Sequence, residues 1–320
     1  MIKLGSTNIS KIFNQSGMDE FVLSLGLTSK KVIIKPNWVD GLEGSHTESK
    51  ALDMLLTSLN RPTVVVESYT FWRTDKVFRK EGDYFSSKEA TIETGKIHWD
   101  FFKKQDEWFL EKEGIDKVLK KHQAEYLNIT NEVWSGDVVD SATIKSIVEA
   151  RYPPVESKEL YSRVPQKLFD LRGSNFISFA KAKKEREYGA SLSIKNNFGL
   201  IPDPHRGKYH DGNQPESKVA ISILDINKIY QSLFKYHFVI DGIYSVGDMD
   251  FDTFTCQNCQ NWGVILGGSN GLEVDHLGLA LLNSRFNGPM IEMAKSYKSI
   301  IGNFDESILG QIPPELIIKN

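Results

Sequence analysis

The sequence predicts an α/β fold: a largely parallel central sheet flanked by helices, in two lobes with a helical insertion. Three observations carry that expectation. Short apolar runs such as Lys31-Val32-Ile33-Ile34 and His237-Phe238-Val239-Ile240 have the length and β-branched content of buried strands. Stretches of helical period alternate with them. Loops rich in glycine, proline and asparagine separate the two, which is the order of strand–helix–strand units with parallel strands.

The elements follow in order. Lys31-Val32-Ile33-Ile34 is closed by Lys35-Pro36-Asn37, and a loop bracketed by Gly41 and Gly44 comes next. Ser45-His46-Thr47-Glu48 has capping-box spacing and is expected to open a helix running to about Leu59. After Pro62, Thr63-Val64-Val65-Val66-Glu67 reads as the next strand. Residues 75–172 are charged, aromatic and weakly periodic, and read as short helices with one strand at 125–129. Their aromatics anchor an insertion on the sheet or form a lid over a site. Strand–helix alternation resumes at Asn175-Phe176-Ile177-Ser178-Phe179. Val219, Ile223, Ile226, Tyr230 and Leu233 are spaced as one apolar stripe of a helix. Strands at 237–240 and 262–266 and helices near 272–282 and 289–298 complete the reading. The expected division is a first lobe over 1–172, insertion included, and a second over 173–320.

Composition narrows the function classes. The 320 residues are 40% hydrophobic and 25% charged, ordinary values for a globular chain able to bury a core without staples. A net charge of −3 gives no global field toward nucleic acid or anionic lipid, so neither is an expected partner. No apolar run approaches the roughly 20 residues that span a bilayer, and the first residues lack the apolar core of a secretory signal. The expected location is the cytoplasm. With only Cys256 and Cys259, a disulfide framework is excluded.

Three segments carry a resemblance. The first is Ile33-Ile34-Lys35-Pro36-Asn37 with Glu67 closing the next strand. The second is Ser193-Ile194-Lys195-Asn196-Asn197-Phe198-Gly199-Leu200-Ile201-Pro202, followed by Arg206 and His210. The third is Val239-Ile240-Asp241-Gly242, then Val264-Ile265-Leu266-Gly267-Gly268 leading to Val274-Asp275. In this order they resemble the family catalogued as domain of unknown function number 362, over roughly residues 30–70 and 173–310. Members commonly have a proline-lysine-x-lysine-threonine-histidine stretch; here it is Ala180-Lys181-Ala182-Lys183-Lys184-Glu185, with glutamate in place of histidine. Many relatives also carry cysteine-rich iron–sulfur segments, which two cysteines cannot reproduce in this chain alone.

The candidate site is a basic, polar set at predicted strand ends. Lys35, Asn37, Lys181 and Lys183 follow strands, and ligands of open α/β sheets bind beyond their carboxyl ends. Lysine acts there as a point charge and asparagine as a neutral orienting group. The plainer account, that lysines end strands to blunt edges, stands beside it. For Lys195 and Asn196 the family resemblance favours a site. The loop from Pro202 to Gly212 concentrates Arg206 and two histidines. His210 matches the family pattern and is the acid–base or metal-ligand candidate, whereas His205 reads as a surface residue. Glu67, Asp241 and Asp275 could hold a divalent metal. Asp248, Asp250 and Asp252 alternate along one face, but Thr253 and Cys259 break the calcium-loop pattern. Cys256-Gln257-Asn258-Cys259 reads as a redox pair, half a metal site, or two small buried residues. The functional expectation is an enzyme acting on a small anionic metabolite, a carboxylate or phosphate, with metal assistance as an option. His210 and Lys195 would be catalytic, with Lys35, Asn37, Lys181, Lys183, Asn196 and Arg206 binding the substrate. The alternative is a non-catalytic binding module assisting a metal or iron–sulfur partner.

Overall fold

The computed structural model describes residues 1–73, 92–209, 218–250 and 255–318. The strands are β1 (Ile2–Leu4), β2 (Thr7–Lys11), β3 (Val32–Lys35), β4 (Thr63–Glu67), β5 (Glu125–Asn128), β6 (Asn175–Lys181), β7 (Lys183–Glu185), β8 (Gly189–Ser191), β9 (Lys235–Gly242), β10 (Val246–Asp250), β11 (Thr255–Gln260) and β12 (Val264–Gly268). Among the described residues the main sheet has eight strands in the order β1-β2-β12-β9-β6-β3-β4-β5. Strands β9, β6, β3, β4 and β5 are mutually parallel, and β12, β2 and β1 extend the sheet by antiparallel pairing.

The parallel strands are buried on both faces, which is why they read as continuous apolar runs. Ile33, Val64, Val66, Phe176 and Phe238 point to one core, and Val32, Ile34, Val65, Ile177 and Phe179 to the other, alternating as a pleat requires. Each such side chain contributes roughly 1.5–3 kcal/mol by leaving water. Helices Gln15–Ser24, Ser49–Leu59 and Ile115–His122 cover the second face. Helices Ser141–Glu149, Lys218–Leu233, Gly271–Leu281 and Pro289–Ile300 cover the first. The expected stripe on Lys218–Leu233 is buried at all five positions.

Strand order matters for function. From β3 the chain moves outward through β4 to β5, then returns to β6 on the opposite side of β3. The seam between β3 and β6 is therefore a topological switch point, where diverging loops leave a crevice. Beyond this end of the sheet stands a second sheet in the order β11-β10-β7-β8. Strand β6 leads through Ala182 directly into β7, so one segment serves both sheets.

Some expectations change. The helix expected from Ser45 begins at Ser49, and Glu48 at its cap position makes no side-chain cap bond. Ser45 donates to Asp40 instead, Thr47 Oγ1 accepts from Asn37 N at 2.9 Å, and Glu48 pairs with Lys181 at 2.8 Å. These side chains close the loop rather than start the helix. The boundary placed at residue 172 falls within the main sheet, since β3 and β6 from either side of it are hydrogen-bonded neighbours. The described part of the insertion supplies β5 and helices including Trp99–Lys112 and Ile115–His122. No helix among the described residues is long and apolar enough to cross a membrane.

Candidate functional site

A cleft of about 1170 Å³ opens between the β3–β6 seam and the small sheet. Its walls include Lys35, Asn37, Lys183, Lys195, Asn196 and Arg206, residues from four separate segments of sequence. Seven basic and five acidic side chains line it, a basic surplus in a chain whose net charge is −3. The sign of this local excess is opposite to that of the whole molecule.

Lys35 ends β3 and is only 2% exposed. Its ammonium donates to Glu67 Oε2 at 2.9 Å, to Pro36 O at 2.7 Å and to Asn196 Oδ1 at 3.3 Å. Glu67, at the end of the neighbouring β4, also accepts from Trp38 N and Ser68 N. Gly199 leaves the room: a Cβ there would lie 2.7 Å from Lys35 Nζ and 2.9 Å from Glu67 Oε1. Burial brings the Lys35 pKa down from 10.5 to about 8, with Glu67 opposing the fall. A proton lost earlier in the folded than in the unfolded chain has a definite sign. Below about pH 8 the burial penalty is present in full, and stability from this group rises as pH climbs from about 8 toward 10.5. Urea unfolding across that window should show this rise in the wild type and a flatter profile in Lys35→Met. Parallel profiles would mean that Lys35 titrates elsewhere.

Opposite stands a lysine–glutamate–lysine arrangement. Glu185 on β7 accepts from Lys195 Nζ at 3.0 Å and lies 3.6 Å from Lys183 Nζ. Burial would raise the Glu185 pKa, but the two ammonium groups outweigh it and hold the carboxyl below its ordinary value. Burial lowers the Lys183 pKa, with Glu185 opposing. Lys183 also donates to Ser45 O at 3.1 Å, and Lys195 lies 4.2 Å from the centre of the Tyr188 ring. Lys195 and Asn196 ride on the single turn Ser193–Asn196, whose first N–H groups point at Asp275. Asn196 ties this turn to β3 and β6 by donating to Lys35 O at 2.9 Å and Ser178 Oγ at 3.0 Å. Sequence reasoning set Glu185 aside as a departure from the motif, yet that departure marked a residue of the cleft.

Arg206 arrives from the proline-rich loop. Asp203 Oδ1 accepts from the backbone N–H groups of His205 and Arg206, folding the loop so that Arg206 sits at φ 55°. Arg206 is 6% exposed, and its guanidinium donates to Gly199 O at 3.3 Å and has a buried Nε without a hydrogen-bond partner. Asn37 Oδ1 is buried and unpartnered as well. A buried donor left in this state costs about 1–3 kcal/mol, which a bound anion would relieve.

The sequence profile of the family described as Domain of unknown function (DUF362) matches residues 32–280. The chain belongs to this family. No curated protein and no solved structure matches it.

Other candidate residues of this DUF362 chain lie elsewhere. Lys181 does not line the cleft: it is buried against Glu48, Asp241 and the carbonyl of Tyr244. Its i, i+2 relation to Lys183 is broken because β6 ends at Lys181 and β7 belongs to another sheet. Glu67, Asp241 and Asp275 serve three separate hydrogen-bond sets. Asp241 accepts from Ile243 N at 3.0 Å, and Asp275 from Ser193 and Ile194. Burial pushes the Asp275 pKa up to about 7, against those donors. Among the described residues no group of three or more His, Cys, Asp or Glu side chains is placed to hold a metal ion. His210 and Asp252 lie outside the described residues. His205 is not a surface residue but half-buried against Phe71, and burial lowers its pKa. No described residue of 92–172 lines the cleft. The segment instead braces the 40–47 loop from behind, with Glu113 Oε2 3.4 Å from His46 Nε2.

Proposed function

We propose that this chain is an enzyme acting on a small anionic metabolite, a carboxylate or phosphate, bound in the β3–β6 cleft. Lys183, Lys195 and Arg206 hold the anion, while Asn37 and Asn196 orient it. Lys35 transfers a proton, because an amine with a pKa of about 8 changes state near neutral pH. His210, which follows Tyr209 in the sequence, keeps the acid–base role suggested by its match to the family pattern. The observation that carries the reading is the buried Arg206 Nε, lacking a hydrogen-bond partner beside an excess of cations.

The test is calorimetric titration with inorganic phosphate and with short mono- and dicarboxylates. Wild type should bind at least one of them. Loss of one charge-assisted contact, as in Lys195→Ala or Arg206→Ala, should weaken binding about ten- to hundredfold. Equal affinity in wild type and both variants, or no binding at all, would remove the proposal.

A non-catalytic binding module is the second reading, favoured by the full occupation of the three Lys35 donors. Mass spectrometry of a small-metabolite extract incubated with wild type or Lys35→Met distinguishes the two. An anionic species consumed only by wild type supports the enzyme, and an unchanged extract supports the module.

A further inference from the structure

Cys256 and Cys259 are joined by a disulfide within β11. Composition left their state open, and neither the core nor the anion cleft requires the bond. With a sequence separation of 3 it removes little entropy from the unfolded chain, and a core of this size needs no staple. The pair nevertheless occupies a fitted socket. A Cβ on Gly44 would lie 2.7 Å from Cys259 Sγ and 2.9 Å from Cys256 Sγ, and one on Gly247 would lie 2.8 Å from Cys256 Sγ. Two glycine backbones thus flank the sulfurs. Asn258, between the cysteines, takes φ 54°, which bends the strand locally. Both cysteines are partly exposed, so a thiolate can reach them.

The socket touches the segments that build the cleft. Strand β10 pairs with the cysteine strand on one edge and with β7, which carries Lys183 and Glu185, on the other. Gly44 precedes Ser45, whose carbonyl accepts from Lys183 Nζ, and Gln257 between the cysteines lines the cleft.

We propose that Cys256 and Cys259 are a redox-active pair whose state sets the order of the 40–47 loop and of the strand carrying Lys183 and Glu185. The co-reactant is a dithiol. One of its thiolates attacks a cysteine sulfur, the S–S bond breaks, and the other cysteine leaves as a thiolate. The second thiol of the reductant then resolves the mixed disulfide. Two electrons pass to the pair, the reductant departs as its own disulfide, and its two thiol protons end on Cys256 and Cys259. Bonded sulfurs lie about 2.05 Å apart, whereas unbonded ones need van der Waals separation, close to twice that. With glycine backbones already in contact on both sides, the loop or the hairpin must give way.

The folded full chain, treated with dithiothreitol without denaturant and then alkylated, should gain two alkyl groups by mass. Hydrogen exchange at amides 43–47 and 183–185 should quicken about tenfold on reduction, while 176–180 in the core stays unchanged. The double variant Cys256→Ser, Cys259→Ser should exchange fast from the outset and ignore the reductant. Alkylation only after denaturation would overturn the proposal, as would unchanged exchange in the reduced wild type. Neither measurement uses an anion, so failure of the cleft to bind one leaves this test standing.

Discussion

Glu67→Gln should lower folding stability by about 3–5 kcal/mol, the usual cost of breaking a buried ion pair. The amide keeps the shape of the carboxylate but removes a negative charge set among Lys35, Arg73 and Arg206. It also turns one acceptor into a donor. Glu67 now accepts from Lys35 Nζ, Trp38 N and Ser68 N, so at least one of these would face an N–H group. The chain can soften the loss by releasing the Lys35 proton. The deficit should therefore shrink at alkaline pH, where Lys35 is neutral without help. Urea unfolding of wild type and variant at neutral pH and near pH 9 measures both parts. A loss below about 1 kcal/mol at neutral pH, the range of exposed pairs, would show that Glu67 does not balance these cations.

Asp275→Asn should cost about 2–4 kcal/mol and weaken anion binding more than tenfold, although Asp275 does not line the cleft. Its two oxygens accept from Ser193 N at 2.9 Å, Ser193 Oγ and Ile194 N at 3.1 Å, so both act only as acceptors. An asparagine would aim its NH2 at one of these donors. The turn Ser193–Asn196 would then shift, taking Lys195 and Asn196 with it. The measurement belongs near pH 8, above the Asp275 pKa of about 7, where the wild-type carboxylate is ionised. Thermal unfolding gives the stability, and calorimetry with the anion found for wild type gives the affinity. Reduced stability with wild-type affinity would confine Asp275 to capping the turn.

Much of this architecture is legible in the sequence because buried parallel strands carry a local signal. Thr63–Glu67 matches the expected strand throughout, and the stripe of Lys218–Leu233 is read directly from spacing. Lys35, Asn37, Lys183, Lys195 and Asn196 reach one cleft because strand ends and the turn after β8 share an edge of the sheet, and the Asp203-folded loop brings Arg206 to it. What escaped depends on partners distant in sequence. The capping signal at Ser45 is overridden by Asp40 and Lys181, neither of which spacing alone can pair with it. Lys181 and Lys183 look equivalent until the strand between them changes sheets. The single eight-stranded sheet is hidden for the same reason: β3 and β6 are neighbours only after the intervening segment has folded out of the way.

That central seam has a cost in time. Lys35 pairs with Ser178 across the whole of β4, β5 and the described helices between, so the seam is one of the long-range closures of the sheet, beside the pairing of β2 with β12. Such closures fold slowly, because chain entropy is lost before the contacts form. During synthesis β3 and β4 emerge well before β6. Until β6 and the Ser193–Asn196 turn follow, the Val32–Lys35 edge is unpaired, and Lys35 lacks the acceptor of Asn196. The segment that later forms the floor of the cleft is thus an open strand edge in the nascent chain, and its maturation is timed by the arrival of residues 175–196.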